Sequence, residues 1–196
     1  MATIKFPLYF FILSAFIISS TLCISKNSLN PTNYDTLSNE LVNQVCKNTS
    51  NFQFCQETIY ADPQAPEADR YVLAYITFRK AYQNATSTSK HIVALIKNMT
   101  NNMGHEKIIQ LGSLKECNGY YNEALKVLGQ ALNDLNSDTF DGLGDYAVSA
   151  GNNARKCEPL LKDDEILSKK NQDLIKLSEI CNVVSKLYDS DYGSLI

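Results

Sequence analysis

The chain has 196 residues, with 18 basic and 21 acidic side chains and a formal net charge of −3. Hydrophobic residues make up 44% and charged residues 20%, which is typical of a globular protein and excludes a disordered or collagen-like chain. The length suits one domain with a sizeable core, and the mild acidity argues against a nucleic-acid-binding protein, which would normally carry a basic face.

The N-terminus predicts a secretory signal peptide over residues 1–25. Lys5 supplies a positive charge, the almost wholly apolar stretch 6–18 follows, and small or uncharged residues offer cleavage after Cys23 or Ser25. The apolar stretch is short for a membrane-spanning helix. We therefore expect a secreted protein whose mature form has no membrane anchor.

Three asparagines begin N-glycosylation sequons after this segment: Asn48, Asn84 and Asn98. A single sequon is common by chance, but three behind a signal peptide are more persuasive. Because a glycan has to project into solvent, we expect all three side chains to be exposed.

Removal of Cys23 with the signal peptide leaves five of the six cysteines: Cys46, Cys55, Cys117, Cys157 and Cys181. An oxidising compartment favours disulfides, and an odd count leaves at least one thiol free or paired with another chain. Sequence distance alone favours the pair Cys46–Cys55. No metal site is predicted, because the sequence has no CxxC pair and its two histidines, His91 and His105, lie far from useful spacing with the cysteines.

Hydrophobic periodicity predicts long helices and no strands. Two short helices are expected within 34–60, meeting near 47–51, before prolines at 63 and 66 break the chain. A long helix is then predicted over 68–103, with Gly104 as its stop.

Three further apolar stripes follow, over 111–135, 140–161 and 174–188, and Ser168 is expected to cap the last helix. The third stripe consists mainly of small residues, so its helix can approach its neighbours closely. Four amphipathic helices joined by short breaks favour an antiparallel arrangement.

The predicted fold is therefore all-α, an up-down-up-down four-helix bundle with an N-terminal α-helical hairpin. The predicted domain spans 34–190, with the hairpin over 34–67 and the bundle over 68–190.

Cys117 and Cys157 lie on the core faces of adjacent predicted helices, so a disulfide between them is reasonable if their Cα atoms come within about 7 Å. Cys181 is then left as a buried thiol or, in the weaker alternative, as a bridge to another chain.

A catalytic site is not indicated. His91 and His105 are the only imidazoles, and no pattern places a nucleophile beside a base. Tyr71, Tyr75 and Tyr82 follow a heptad spacing, which we interpret as core positions rather than a ligand cage. We therefore expect a binding protein without a cofactor rather than an enzyme.

Several short motifs together resemble one family. They are Cys46-Lys47-Asn48-Thr49, Phe54-Cys55, Asp62-Pro63, Ala68-Asp69, Cys117-x-x-x-Tyr121-x-x-Ala124-x-x-x-Leu128-x-x-Ala131, Ser149-Ala150, Cys157-Glu158, Asn171 with Leu174, Leu177-Ser178 and Ile180. With these motifs the chain resembles the plant invertase and pectin methylesterase inhibitor family over roughly 41–188.

The resemblance implies a helical hairpin packed on a four-helix bundle, with disulfides Cys46–Cys55 and Cys117–Cys157 and with Cys181 as a free thiol. It implies a non-catalytic protein that binds either pectin methylesterase or acid invertase. It also implies delivery to the extracellular space of the plant cell wall, the apoplast, or to the vacuole.

The choice of target depends on the break after the second bundle helix. Invertase inhibitors of this family often carry Pro-Lys-Phe there, and the matching stretch here is Asp138-Thr139-Phe140, which keeps only the Phe. The spacing from Phe140 to Cys157 and the presence of Cys181 are more similar to pectin methylesterase inhibitors. The resemblance therefore implies that the chain covers the active-site cleft of pectin methylesterase, one to one, with acid invertase as the alternative target.

The predicted target-binding residues are Asn136, Asp138, Thr139, Phe140 and Asp141. An equally weighted interpretation makes Phe140 an ordinary core residue at the start of the third helix. Two alternatives come from other classes: a carrier that holds a small ligand inside the bundle, and a signalling or structural protein that inhibits neither hydrolase.

Overall fold

A computed structural model describes residues 32–100, 105–161 and 164–189, so the predicted signal peptide and Gly104 lie outside the described residues. The described residues form six α-helices: α1 Thr32–Lys47, α2 Phe52–Tyr60, α3 Arg70–Thr100, α4 His105–Asn136, α5 Leu143–Cys157 and α6 Glu165–Ser185. Short 3₁₀ turns occupy Ala65–Glu67, Glu158–Leu160 and Lys186–Tyr188. These three ranges contain no strand, and the all-α prediction is confirmed.

Helices α3 to α6 form the four-helix bundle. Each packs against two others, in the cyclic order α3, α4, α5, α6, and the short connections make successive helices antiparallel. The hairpin of α1 and α2 packs on α6 and α3. None of the helices described is long and apolar enough to cross a membrane.

The buried face of α3 is not the face that carries the predicted stripe of tyrosines. Leu73, Ile76 and Phe78 are fully buried, whereas Tyr71 and Tyr75 are half-buried and Tyr82 is 37% exposed. A bundle helix faces two neighbours at once, so its buried face is centred between α4 and α6, and the tyrosines fall on its edge. The prediction that Tyr82 is a core residue is wrong.

A buried polar pair joins α4 to α6. The hydroxyl of Tyr121 donates to Oδ1 of Asn171 at 3.0 Å, and both side chains are about 1% exposed. Burial raises the pKa of Tyr121, which keeps its hydroxyl neutral and able to donate. A buried hydrogen bond of this kind favours one register of the two helices, because slippage would leave the Tyr121 hydroxyl and the Asn171 Oδ1 unpaired.

Helix α5 approaches α6 closely, as its small residues predict. A Cβ atom added at Gly151 would lie 3.1 Å from the Cβ of Ser178, and one added at Gly144 would lie 3.0 Å from the Oγ of Ser185. Both contacts are tighter than ordinary van der Waals packing, so a side chain at either position would require its serine neighbour to shift by a few tenths of an ångström.

The two disulfides join the pairs that the resemblance implies. The Cα atoms of Cys46 and Cys55 are 5.4 Å apart, and those of Cys117 and Cys157 are 4.8 Å apart. Cys181 is a free, fully buried thiol, and burial raises its pKa to about 12. A thiol at this position is inaccessible to another chain in the folded protein.

Polar contacts fasten the hairpin to the bundle. The backbone N–H of Ser50 donates to Glu179 at 2.7 Å, and the Ser50 hydroxyl donates to the same carboxylate at 2.5 Å. The ammonium of Lys176 lies 5.0 Å from the ring centroid of Phe54. The hairpin therefore has a fixed position on α6.

Candidate target-binding surface

The α4–α5 junction, residues 136–142, begins with a tightly built helix end. The N–H of Thr139 donates to the carbonyl of Asp134 at 2.9 Å, and that of Asp138 donates to the carbonyl of Leu135 at 3.2 Å. This is the Schellman pattern, which requires a left-handed residue just after the helix, and Asp138 supplies it with φ of +52°. Aspartate is one of the few residues other than glycine that tolerates this conformation.

A second left-handed residue closes the junction. Gly142 has φ of +88° and precedes α5, which begins at Leu143. Since only glycine adopts this conformation without strain, the turn is specified by the sequence at this point. The prediction that Phe140 lies within this helix is therefore wrong, because α5 begins three residues later. The half-buried Phe140 side chain nevertheless packs against the hydrophobic core.

Phe140 is half-buried and stacks on an aromatic ring from the other end of the chain. Its ring centroid lies 4.2 Å from that of Tyr188, with 9° between the ring planes. The Tyr188 hydroxyl donates to the backbone carbonyl of Arg70 at 2.8 Å, and the guanidinium carbon of Arg70 lies 5.3 Å from the Tyr188 ring centroid. Burial raises the pKa of Tyr188, so its hydroxyl stays protonated.

The other predicted target-binding residues lie on the surface. Asn136, Asp138, Thr139 and Asp141 are all exposed. Because the five predicted residues belong to one short segment, their proximity was expected. The structure adds residues of α5, of α6 and of the turn after α6. Of these, the sequence interpretation names only Tyr188, as the last residue of the fourth apolar stripe.

An open groove of about 350 Å³ runs between the α4–α5 junction and the end of α6. Its lining includes Phe140, Asp141, Gly142, Gly144, Asp145, Val148, Asn182, Ser185, Lys186, Tyr188 and Asp189. Three carboxylates and one ammonium group give this surface a negative balance. Beside it, a hydrogen bond to the carboxylate of Asp134 raises the pKa of Tyr146.

The three sequon asparagines differ in exposure. Asn48, just after α1, and Asn98, near the end of α3, are exposed. Asn84 is half-buried within α3, and the hydroxyl of Thr88 lies 3.4 Å from its Oδ1. The prediction of full exposure is therefore wrong for Asn84, because that position borders the packed face of the helix.

His91 does not form a metal site with the side chains that the structure describes. No group of three or more His, Cys, Asp or Glu side chains there is arranged to hold a metal ion. His91 instead lies 3.8 Å from a carboxylate oxygen of Asp164, the residue that caps α6 by accepting from the N–H of Leu167. Asp164, not the predicted Ser168, is thus the N-cap of this helix.

A family model described as plant invertase/pectin methylesterase inhibitor matches residues 40–187. The chain belongs to this family. Its relatives include a pectinesterase inhibitor of Actinidia deliciosa, 29% identical over 74% of this chain and 76% of the relative. They also include the cell wall / vacuolar inhibitor of fructosidase 2 of Arabidopsis thaliana, 25% identical over 89% of this chain and 94% of the relative.

A solved structure has the same fold. The crystal structure of a mutant form of a pectin methylesterase inhibitor from Arabidopsis aligns with a TM-score of 0.63, at 20% identity, over 73% of this chain and 93% of that one. Family members are inhibitors of enzymes rather than enzymes, and the chain shares that non-catalytic role.

Proposed function

We propose that the protein is a secreted inhibitor of plant pectin methylesterase, which it blocks one to one by covering the active-site cleft with the α4–α5 junction. Family membership supports the inhibitor role, and the name of the Actinidia relative favours this target. The observation that carries the choice is the backbone conformation of Asp138.

Asp138 occupies the position at which invertase inhibitors of this family often carry proline. Its φ is +52°, whereas the proline ring restricts φ to about −65°. The helix end of this chain is therefore incompatible with a Pro-Lys-Phe element in the same register. The α4–α5 junction therefore keeps Phe140, the last residue of that element, but on a turn with a different backbone conformation.

The α4–α5 junction meets the physical requirements of an inhibitory surface. Its turn is set by the left-handed residues Asp138 and Gly142 and by the stacked ring of Phe140, so little ordering is needed on binding. Its exposed carboxylates, with Asp145 and Asp189 beside them, favour a basic surface on the enzyme.

The test is a titration of the disulfide-intact, secreted protein against purified pectin methylesterase and purified acid invertase, from acidic to neutral pH. We expect stoichiometric loss of methylesterase activity and unchanged invertase activity. Loss of invertase activity alone would contradict the proposed target. If neither enzyme responds, the chain is a non-inhibitory member of the family.

Acid invertase is the second candidate, favoured by the Arabidopsis fructosidase inhibitor, which aligns over more of this chain than the Actinidia relative does. A ligand carrier is the other-class alternative, and it predicts saturable binding of an apolar probe. The interior argues for a filled core, since Phe78, Tyr121, Leu128 and Leu174 are buried within it.

We further propose delivery to the apoplast, with the vacuole as the alternative destination. The predicted signal peptide supports secretion, and exposed Asn48 and Asn98 are the favoured glycosylation sites. Digestion of the secreted protein with an endoglycosidase, followed by mass spectrometry of each sequon peptide, tests their occupancy together with that of Asn84.

A further inference from the structure

The chain ends its described part beside the α4–α5 junction. Tyr188 lies in the 3₁₀ turn Lys186–Tyr188, which follows α6, and its ring stacks on that of Phe140 at 4.2 Å. The stacking thus connects the junction to a segment remote from it in sequence.

A second contact fixes Tyr188 itself. Its hydroxyl donates to the backbone carbonyl of Arg70 across a sequence separation of 118 residues, and the Arg70 guanidinium lies close to the same ring. Arg70 is the first residue of α3. One tyrosine therefore joins the start of α3, the turn after α6 and the α4–α5 junction.

We infer that Tyr188 is a positioning residue for target binding, which holds Phe140 in the orientation that the target enzyme meets. This inference rests on the proposed function of the junction. Tyr188 is half-buried and its hydroxyl is occupied by Arg70, whereas Asp138, Thr139 and Asp141 present their side chains to solvent. Tyr188 acts through Phe140 rather than by touching the target.

The geometry separates the roles of ring and hydroxyl. The Tyr188→Phe variant loses the hydrogen bond to Arg70 but keeps the stacked ring and the contact of that ring with the Arg70 guanidinium. Its inhibition constant for pectin methylesterase should therefore stay close to that of the wild type. Tyr188→Leu keeps an apolar side chain but removes the stacking, and we expect inhibition to weaken by about three- to tenfold. If Tyr188→Phe inhibits normally and Tyr188→Leu does not, the aromatic ring is needed for its stacking and not merely for its apolar volume.

A double-mutant cycle shows whether Tyr188 acts through Phe140. The cycle combines Tyr188→Leu with Phe140→Leu and measures the inhibition constant of each single variant and of the pair. In the Phe140→Leu background, Tyr188→Leu should cause no further loss of inhibition. An additive loss would overturn the inference, because Tyr188 would then contact the target by another route.

Tyr120→Leu is the matched control. Tyr120 is a half-buried tyrosine of α4 that contacts Lys156 and donates to Glu116, away from the junction. Its replacement removes a comparable ring, and the inhibition constant should not change. A loss equal to that of Tyr188→Leu would mean that general destabilisation explains both variants, which would also overturn the inference.

Amide hydrogen exchange of the free protein tests the contact without any enzyme. Tyr188→Leu should speed exchange within residues 137–142, and Phe140→Leu should speed exchange of the Asp189 amide, which donates to the carbonyl of Lys186. Unchanged exchange in both variants would show that the stacking does not hold the junction.

If the wild type fails to inhibit the methylesterase, the proposed function is wrong, while the exchange rates still decide whether Tyr188 holds Phe140. If Tyr188→Leu does not fold, Phe140→Leu tests the same contact from the other side.

Discussion

The two ends of the bundle present different surfaces. At one end, near the start of α3 and the end of α6, the α4–α5 junction exposes polar side chains on a turn fixed by Asp138 and by the ring of Phe140. At the opposite end, apolar side chains face solvent, with Ile109 78% exposed and Ile166 61% exposed. The fixed turn and the most exposed apolar side chains therefore lie at opposite ends of the bundle.

The contrast between the two ends shows that a binding surface should be chosen by how rigidly its side chains are held, as well as by how much apolar area it exposes. Exposed apolar area marks a surface that can bury area against a partner, whereas a rigid turn with a fixed ring lowers the ordering cost of binding. The proposed inhibition uses the junction end, where the structure provides fixed groups. Four changes, taken from the largest expected effect to the smallest, test this separation.

The largest effect should follow removal of the bridge between α4 and the end of α5. Replacing Cys117 and Cys157 together by serine should lower the free energy of unfolding by about 2–5 kcal/mol, because the bridge closes a long loop with a sequence separation of 40. Since the bridge lies away from the junction, the folded variant should still inhibit pectin methylesterase. Denaturant unfolding and an inhibition assay check the two statements. Loss of inhibition by the folded variant would contradict the separation of the two ends.

Truncation of Phe140 should act mainly on binding. Phe140→Ala should weaken binding of the methylesterase by about 2 kcal/mol, since the ring stands at the centre of the proposed surface. The free energy of unfolding should fall by only about 1 kcal/mol, because the side chain is half-buried. Phe52→Ala is the matched control, since Phe52 is 41% exposed at the start of α2. A loss of stability with affinity intact would make Phe140 a structural residue only.

The free energy of unfolding should fall at alkaline pH, because the buried thiol of Cys181 lies in the core of the bundle. Burial raises the pKa of this thiol from 9.0 to about 12, so the folded chain keeps a proton that the unfolded chain loses. The stabilisation is fully present below pH 9 and is lost as the pH rises towards 12, by about 1 kcal/mol at pH 10. Cys181→Ala should show a shallower alkaline decline when unfolding is measured between pH 8 and 10. Parallel declines would show that the thiol titrates normally.

The smallest effect should come from the opposite end. Ile109→Ser should change the free energy of unfolding by less than about 0.5 kcal/mol and leave inhibition unchanged, because the side chain is mostly exposed. Thermal unfolding and the inhibition constant provide the measurements. A large loss of inhibition would place the enzyme at the apolar end and reverse the comparison.

The sequence predicts most of the fold, because helix periodicity and turn residues are local signals. The break after α4 and the small residues of α5 are both apparent from the amino-acid sequence. The exact face of a helix is less predictable, as Tyr82 demonstrates, because a heptad repeat does not show which side of a stripe two neighbours will cover. The N-cap of α6 was misplaced for a related reason, since both Asp164 and Ser168 can accept a hydrogen bond at a helix start.

The candidate site is predictable only in part. The residues of the α4–α5 junction follow from its resemblance to a family motif, but the stacking of Phe140 on Tyr188 joins segments far apart in the chain. Hydrophobic periodicity describes single helices and cannot predict a contact between residues that are far apart in the sequence. The left-handed conformation of Asp138 is likewise invisible in the sequence, since aspartate adopts ordinary conformations in most turns.

The close packing of α5 on α6 links the interior of the protein to the proposed target-binding surface. The junction is anchored directly to the first residue of α5, and Gly144 and Gly151 set the distance between the two helices. A side chain at either glycine would press on Ser178 or Ser185 of α6, both buried, and Ser185 also lines the groove beside Phe140. Under the proposed function, a substitution at either glycine changes target affinity from the interior, where a comparison of exposed residues would not reveal it.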